Sequence, residues 1–470
     1  MNAAPAKITL GQWEQRYAQL KAAGLVERAC GGRLGRHVED GDLRLEVLRF
    51  DNSPAALGLW NFLLSEEDRL RQARASGRKL VGAMKDLGTI PVMAYALPEL
   101  VAFYPDGAWW IPCVMQMSEG LLGVADSLGV NESFCPVRAM LGAFLTGAHF
   151  PIPDLLTCSV GAVCDDFSAI AQRLEAMGFA IKWWEVPLRR QGEPGEQAVR
   201  LPGGCVAPTS QVAFVRNQLG QIRDALSQLA GRPLTDELLC EGIAAANRVR
   251  SLLRRLRELA FTAPLAPLPA LEMLIAEMLA IHFCSDRAEC IVVLEDLLAQ
   301  AQQRADAGVG ALPAEAVPVF WVNPVADLAV MNLLEDLGGR VCGTDYMFAH
   351  ALDEIPTDVP PMEALARMAL ADPMVGPAAQ RAQRIGDDVR RLGARGVVIS
   401  RIPGASHCSH EGAVMAEHLR RLGVPTVEIE VPPVSDSVRG GIRTRLEALL
   451  ELARRGARGG DMGEGLGETR

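Results

Sequence analysis

The sequence predicts an α/β protein with two parallel-sheet domains joined by a helical connection. Apolar runs of strand length alternate with amphipathic runs of helix length, first over residues 78–208 and again over residues 316–455. Strands that alternate with helices favour a mostly parallel sheet in each region. Residues 209–315 between them show only helical periodicity. At 470 residues the chain is also too long for one ordinary hydrophobic core.

Composition and charge narrow the functional classes. A hydrophobic fraction of 49% with 22% charged residues is typical of a folded globular protein. The net charge of −10 argues against a broad nucleic-acid or anionic-membrane surface, and 5% aromatic residues argue against a base-stacking platform. No apolar run reaches the roughly 20 residues of a membrane span, and the N-terminus lacks a signal-peptide pattern. We therefore expect a cytoplasmic protein that binds neither nucleic acid nor membranes.

The two ends of the chain lie outside the predicted domains. Residues 1–77 are predicted to form a helical N-terminal extension with a break around Gly31–Asp42. Apolar residues recur there at three- and four-residue spacing in GQWEQRYAQLKAAGL and WNFLLSEEDRLRQARASG. The extension is expected to pack on the next domain or on a partner. Residues 456–470 are rich in glycine and polar residues, which predicts disorder.

The first α/β domain is predicted over residues 78–208. Its predicted strands are KLVGAM, WWIPC, DLLTCSV and AIKWWEVP. Its predicted helices are ALPELVAF, VMQMSEGLLGVADSLG and DDFSAIAQRLEAMG. The segment from Leu188 to about Pro208 is rich in glycine, proline and charge, and it is predicted to be a loop.

The helical connection and the second α/β domain follow. Residues 209–315 are predicted to form a series of amphipathic helices, with Thr235 as the N-cap of the longest one. The second domain is predicted over residues 316–455. Its predicted strands are VPVFWVNP, RVCGTD, GVVISRIP and TVEIEVPP, and SVRGGIRTRLEALLELARR is predicted as the last helix.

Cysteines at strand ends are the first indication of chemistry. The chain has 11 scattered cysteines, and in a reducing compartment each is either a small buried residue or a metal ligand. Cys164 follows a predicted strand and precedes a helix that begins with Asp165 and Asp166. Cys408 follows another strand, and Cys135 precedes a helical stretch. Ligands of open α/β sheets bind beyond the carboxyl ends of strands, and three thiolates suit an iron–sulfur cluster or zinc.

Several phrases, in their order along the chain, carry a family resemblance. They include PVMAYALPELVAFYP, SFCPVRAMLGAFLTG, PDLLTCSVGAVCDDFSAI, VFWVNPVADLAVMNLLEDLGGRV and GVVISRIPGASHC. Over about residues 78–455 the chain resembles the catalytic subunits of the 2-hydroxyacyl-CoA dehydratase and benzoyl-CoA reductase family. The resemblance implies two Rossmann-like domains that flank a cleft.

The resemblance also implies a [4Fe-4S] cluster in that cleft, held by three cysteines that match Cys135, Cys164 and Cys408. The surroundings of the third, HCSHEG, depart from the family pattern, and Cys158 competes with Cys164 for the second position. Some relatives hold a larger double-cubane [8Fe-9S] cluster. Cys113 and Cys158 are the candidates for its extra ligands, against the alternative that both are simply buried in strands.

Radical chemistry on an acyl-CoA thioester follows from the same resemblance. A separate ATP-hydrolysing activator supplies one electron to the cluster, which passes it to the thioester. Dehydratases then expel a 2-hydroxyl group, whereas reductases begin ring reduction. The chain has no GxxxxGK[ST] loop, so ATP hydrolysis is expected in another protein. A homologous second subunit is also implied. The alternatives are a double-cubane reductase of small molecules and a non-catalytic electron-relay or structural subunit.

Three further parts of the chain offer candidate site residues. His149 is a candidate proton donor or hydrogen-bond partner of a ligand, with ordinary packing as the alternative. Glu185 ends a predicted strand and is a candidate catalytic residue lining the cleft, while Trp183 and Trp184 are expected in the core. The segment Ser435–Gly441 offers backbone N–H groups to an anion or a cluster sulfide, with an ordinary N-cap by Ser435 or Ser437 as the alternative.

Overall fold

The computed structural model describes residues 4–28, 31–39, 41–86, 88–107, 118–162, 164–282, 285–346 and 348–460. Within these ranges, two four-stranded parallel sheets with flanking helices form the architecture, which confirms the predicted α/β class with two Rossmann-like domains. Short 3₁₀ turns occur at Leu43–Val47, Pro136–Arg138, Pro202–Gly204, Ala349–Leu352 and Pro373–Val375. No helix in the described ranges combines the length and the apolar character that crossing a membrane requires.

The N-terminal region is mainly helical. Its helices are α1 Leu10–Ala22, α2 Gly35–Glu39, α3 Pro54–Leu64 and α4 Glu66–Ala75. Two antiparallel strands, β1 Lys7–Thr9 and β2 Arg49–Asp51, were not predicted, because three residues are too few to show alternation. Asp51 forms a buried ion pair with Arg304 of the helical connection, so this region packs on the rest of the chain.

The first sheet has the order β4-β3-β5-β6, and all its strands are parallel. Its strands are β3 Lys79–Met84, β4 Leu100–Phe103, β5 Leu155–Gly161 and β6 Ile181–Val186. The helices of this region are α5 Ile90–Ala94, α6 Ser118–Ser127, α7 Ala139–Thr146 and α8 Asp165–Ala176. A small antiparallel hairpin, β7 Ala198–Arg200 with β8 Val206–Pro208, lies within the segment predicted to be a loop.

One prediction in this region is wrong. The segment ALPELVAF was predicted to be a helix, but Leu100–Phe103 forms β4 and pairs with β3. All four residues of β4 are buried, and a short, fully apolar run fits a buried strand as well as a helix. The predicted strand WWIPC, which contains Cys113, lies outside the described residues.

The helical connection consists of long helices, as predicted. They are α9 Thr209–Ala230, α10 Asp236–Thr262, α11 Ala270–His282 and α12 Arg287–Asp306. Thr235 is the N-cap of α10, and its hydroxyl accepts a hydrogen bond from the Leu238 N–H, which confirms that prediction.

The second sheet repeats the order of the first, as β10-β9-β11-β12, and it is also parallel. Its strands are β9 Val317–Val322, β10 Gly339–Asp345, β11 Gly396–Arg401 and β12 Thr426–Glu430. Its helices are α13 Ala329–Asp336, α14 Pro361–Ala371, α15 Ala378–Arg391, α16 Ser406–Arg421 and α17 Arg439–Gly460. Helix α17 therefore continues into the segment predicted to be disordered, and residues 461–470 lie outside the described residues.

Candidate functional site

The shared strand order gives each sheet a crevice at its carboxyl edge. In both sheets the first strand in sequence pairs with the second on one side and with the third on the other. The connections that follow the first and the third strand leave in opposite directions, which opens a gap between the carboxyl ends of these two strands. Ligands of open α/β sheets bind in that gap. We call the gap beyond β3 and β5 the first crevice, and the gap beyond β9 and β11 the second crevice.

Cys164 lies at the first crevice, at the N-cap position of α8. Its side chain is only 4% exposed. Burial raises the pKa of Cys164 to about 12, although the backbone N–H groups of Asp166 and Phe167 favour the thiolate. A thiol in this setting keeps its proton until a metal ion replaces it, because metal binding to cysteine requires the thiolate.

Asp166 connects the first crevice to the second domain. Its Oδ2 accepts hydrogen bonds from the backbone N–H of Ser406 at 2.9 Å and from the Ser406 hydroxyl at 3.1 Å. The Cys164 thiol donates to the same oxygen at 3.6 Å. Ser406 is the first residue of α16, and Cys408 lies in the first turn of that helix. One carboxylate therefore joins Cys164 to the start of the helix that carries Cys408.

Cys135 reaches the same place through backbone packing. Cys135 is 4% exposed and precedes the 3₁₀ turn Pro136–Arg138 that leads into α7. Gly404, just before α16, has a φ of +74°, and a Cβ atom there would lie 2.5 Å from the Phe134 carbonyl carbon and 2.9 Å from the Cys135 nitrogen. A glycine is required for so close an approach. The segments that carry the three predicted ligands are thus brought together.

The ligand set itself stays a prediction. The side chain of Cys408 is outside the described part of the structure, and so is Cys113. Among the described residues, no group of three His, Cys, Asp or Glu side chains has an arrangement suited to a metal ion.

Cys158 lies within β5, between Met84 of β3 and Trp183 of β6. It is fully buried, and burial raises its pKa to about 12. This position agrees with the interpretation of Cys158 as a buried strand residue, and it lies before the strand end at which Cys164 is found.

His149 lies in the segment that precedes β5. It lies between the end of α7 and the start of β5, whereas Cys164 follows the end of β5. The seven residues of β5 span about 20 Å, at about 3.3 Å per residue. The neighbouring Phe150 packs against Phe103 and Phe144. In the described part of the chain, the segment of His149 therefore leads into the amino end of β5, whereas Cys164 follows its carboxyl end.

Glu185 lies at the carboxyl end of the edge strand β6, on the same edge as Cys164. Its side chain is exposed, and its backbone N–H donates to the Gln218 side chain at 3.2 Å. Trp184 is buried, as expected. Trp183 is only partly buried and donates to Glu175 at 3.1 Å.

Ser435 belongs to a contact that the sequence did not predict. The Ser435 N–H and hydroxyl donate to Asp327 Oδ2 at 2.9 and 2.7 Å, and α17 begins only at Arg439. Arg44 of the N-terminal region donates to the same Asp327 oxygen at 2.6 Å. Ser435 is therefore not the N-cap of α17, and its two donors belong to a contact that joins the N-terminal region to the second domain. Binding of an anion or a sulfide by the other N–H groups of Ser435–Gly441 stays a prediction.

Sequence reasoning missed Lys85, which directly follows β3 at the first crevice. Lys85 is 4% exposed and has a φ of +53°. Its ammonium group donates to the Gly161 carbonyl and to the Ser168 hydroxyl, both at 3.2 Å. Burial lowers its pKa, while Cys158, Cys164, Asp165 and Asp166 act in the opposite direction. The sequence signal for Lys85 was a lysine directly after the apolar strand, in KLVGAMK.

The second crevice is a closed polar network. Asn323 directly follows β9 with a φ of +65°, and its side-chain oxygen accepts from Arg381 at 2.8 Å. Arg381 also pairs with Asp345 at 2.8 Å and with Glu411 at 2.6 Å. The positive charge of Arg381 is therefore neutralised within the protein.

The donor set of the first crevice suits a thiolate-bound metal cluster. Cys135 and Cys164 are sheltered from water, and a buried ammonium group lies at the same sheet edge. Thiolates are the usual protein ligands of iron–sulfur clusters, and a nearby positive charge balances their negative charge. Cys135, Cys164 and Cys408 are the residues that could hold such a group.

Comparison with known proteins gives the family. Residues 95–452 match the family model described as 2-hydroxyglutaryl-CoA dehydratase, D-component. A search of curated proteins gave no match. The matched segment includes most of the first sheet, the helical connection and the whole second sheet. This chain therefore belongs to the 2-hydroxyglutaryl-CoA dehydratase D-component family, and it is a dehydratase-type enzyme subunit.

Proposed function

We propose that this chain is the iron–sulfur subunit of an enzyme that acts on acyl-CoA thioesters by one-electron chemistry. Cys135, Cys164 and Cys408 hold a [4Fe-4S] cluster in the cleft between the two domains. The observation that carries the proposal is the convergence of three segments, through the Asp166–Ser406 hydrogen bonds and the packing of Gly404 on Phe134 and Cys135.

The chain's own residues bind and shield the reacting centre. The cluster, when bound, supplies low-potential electron transfer to the thioester. Cys135 and Cys164 give up their protons when iron binds, and their burial keeps water from the centre. Asp166 accepts hydrogen bonds from both Cys164 and Ser406, and it thereby fixes the position of Cys164 relative to the start of α16. The two domains then present their ligands together.

Other proteins complete the proposed reaction. The electron comes from a separate ATP-hydrolysing activator, because this chain carries no GxxxxGK[ST] motif. A homologous second subunit completes the enzyme. The substrate is a 2-hydroxyacyl-CoA if the enzyme is a dehydratase, and an unsaturated or aromatic acyl-CoA if it is a reductase.

Metal analysis of anaerobically purified protein tests this function. Wild type is expected to contain about four irons and four sulfides per chain with an iron–sulfur EPR signal after reduction. Cys135→Ala, Cys164→Ala and Cys408→Ala are each expected to lose most of the iron. Cys240→Ala is the matched control, since Cys240 is an exposed cysteine on α10, and it should keep the full iron content.

The outcomes separate the alternatives. Zinc without sulfide would contradict the cluster. About eight irons per chain in the wild type, and a lower iron count in Cys158→Ala, would indicate a double-cubane reductase instead of a [4Fe-4S] enzyme. A full cluster with no acyl-CoA turnover in the presence of activator and partner would indicate an electron-relay subunit. Mass spectrometry of the acyl-CoA products distinguishes loss of water from reduction.

A further inference from the structure

Lys85 occupies the same place in the first sheet as Asn323 in the second. Each residue directly follows the first strand of its sheet, and each has a left-handed backbone, with φ values of +53° and +65°. A serine on the third strand donates its hydroxyl to each backbone carbonyl: Ser159 to Lys85 at 2.6 Å and Ser400 to Asn323 at 3.2 Å. The two turns are therefore built alike.

The side chain at this place is unusual in the first sheet. Asparagine adopts left-handed backbone readily, whereas for lysine it is uncommon and costs conformational energy. Such conformations concentrate at functional sites, where the surrounding structure holds them. Lys85 also precedes residues 95–452, so it lies outside the segment that matches the family model.

In the described part of the chain Lys85 forms no direct ion pair, although Asp165 and Asp166 lie near enough to favour its charge. An ammonium group has three N–H donors, and among the described residues that of Lys85 donates to one carbonyl and one hydroxyl, both neutral. By contrast, Arg381 in the second crevice pairs with two carboxylates. A buried positive charge is costly unless negative charge lies nearby. Metal-bound thiolates at Cys164 and its partners would supply that negative charge.

We propose that Lys85 is the charge-compensating residue of the cysteine site, and that it raises the reduction potential of the cluster held there. The inference rests on the proposed function. Reduction adds one electron from an external donor, such as dithionite or the activator, and no bond forms or breaks. The added negative charge stays at the site, and a fixed positive charge nearby favours the reduced form.

Four variants separate charge from structure. Lys85→Met removes both the charge and the hydrogen bonds, Lys85→Gln keeps a donor without the charge, and Lys85→Arg keeps the charge. Lys79→Met is the matched control, because Lys79 is an exposed lysine at the opposite end of the same strand. Each anaerobically purified protein is analysed for iron and sulfide, and its midpoint potential is measured by an EPR-monitored redox titration.

Loss of the charge is expected to lower the potential. Lys85→Met and Lys85→Gln should each shift the equilibrium about tenfold away from the reduced cluster, which is about 59 mV for a one-electron couple. Lys85→Arg and Lys79→Met should stay close to wild type. If Lys85→Met does not fold, Lys85→Gln still gives the answer, because its amide can replace the ammonium as a hydrogen-bond donor.

Two results would overturn different claims. A wild-type protein without iron and sulfide overturns the proposed function, and the inference falls with it. A fully loaded Lys85→Gln protein with the wild-type potential overturns the inference alone, since it would show that Lys85 acts only through its hydrogen bonds to Gly161 and Ser168.

Discussion

The two crevices have the same framework and opposite chemistry. Both lie between the first and third strands of a parallel sheet, and in both a serine hydroxyl supports a left-handed residue at the first strand's end. The second crevice is filled by ion pairs around Arg381. In the first, Lys85 forms no direct ion pair with a described carboxylate, and its ammonium group donates to a carbonyl and a hydroxyl. The repeated strand order thus gives two similar crevices, and the second is occupied by ion pairs between its own side chains.

The ion pairs of the second crevice are the strongest structural contacts in this comparison. Burial opposes the charge on Asp345, but Arg381 and Arg384 outweigh it and hold the pKa of Asp345 below its usual value. Arg381→Leu leaves Glu411 without its arginine and Asp345 with Arg384 alone, and it is expected to lower the free energy of unfolding by about 3–5 kcal/mol. Urea denaturation measures this loss.

An exposed arginine of the same helix serves as the control for that substitution. Arg391→Leu should change the unfolding free energy by less than about 0.5 kcal/mol, because Arg391 is exposed. Equal effects of the two substitutions would mean that the second crevice is not stabilised by its ion pairs.

Asp166 and Asp327 form two similar contacts, one at the cysteine segments and one that joins the N-terminal region to the second domain. Asp166 and Asp327 each accept hydrogen bonds from a serine N–H and hydroxyl, but Asp327 also pairs with Arg44. Asp327→Ala should cost about 2–4 kcal/mol of stability and leave the iron content unchanged. Asp166→Ala should cost about 1–2 kcal/mol and reduce the iron content several-fold, because α16 loses its contact with Cys164.

Iron content and unfolding free energy, measured on both variants, are the readouts. Loss of iron in Asp327→Ala with full iron in Asp166→Ala would reverse the assignment of the two contacts.

The pH dependence of stability should also differ between the crevices. Burial raises the pKa of Asp86, next to Lys85, to about 6, above its unfolded value of 3.8. The folded state then holds a proton that the unfolded state releases. The stabilisation is present in full below pH 3.8 and is lost as the pH rises to about 6, by about 3 kcal/mol at most. Asp345 acts in the opposite direction, since its stabilisation is lost as the pH falls below the unfolded value.

Chemical denaturation between pH 3.5 and 7, roughly the window of these titrations, checks the difference. Asp86→Asn should remove the loss of stability on going from low pH to pH 6. An unchanged pH profile in Asp86→Asn would show that Asp86 ionises normally in the folded protein.

A further prediction concerns the close contact of Gly404 with Phe134 and Cys135. Gly404→Ala should destabilise the protein by about 1–3 kcal/mol and lower its iron content, because the added methyl group would overlap the Phe134 backbone. Gly393→Ala is the control: Gly393 also has a positive φ, of +63°, but open space around it. The control should lose about 1 kcal/mol and keep its iron. Similar iron contents in the two variants would contradict a role for this contact in the site.

Much of the fold was predictable from local pattern, and much less of the site was. Alternating strand and helix patterns identified both sheets and the helical connection. The helix prediction for Leu100–Phe103 failed because the run is short and fully apolar, and the hairpins β1–β2 and β7–β8 have strands of only three residues. The cysteines at strand ends could be predicted as site residues, because ligands of open α/β sheets bind at the carboxyl ends of the strands.

The contacts that assemble the site depend on distance in space. The sequence around Asp166 indicates only an acidic residue in the first turn of a helix, because its partner Ser406 is 240 residues away. Gly404 is needed because the backbone of Phe134 and Cys135, in the first domain, packs directly against it. His149 lies between two cysteines in sequence, but it precedes β5, whereas Cys164 follows that strand.

The hydrogen bonds between Asp166 and Ser406 have a consequence for biosynthesis. Cys135 and Cys164 leave the ribosome long before Ser406, since synthesis adds about 5–20 residues per second and domains fold as units. The first domain alone can offer only two of the three predicted thiolates, so a nascent chain has no finished place for a cluster. If the proposed cluster is bound, we expect iron loading to be a late event that follows the docking of the second domain.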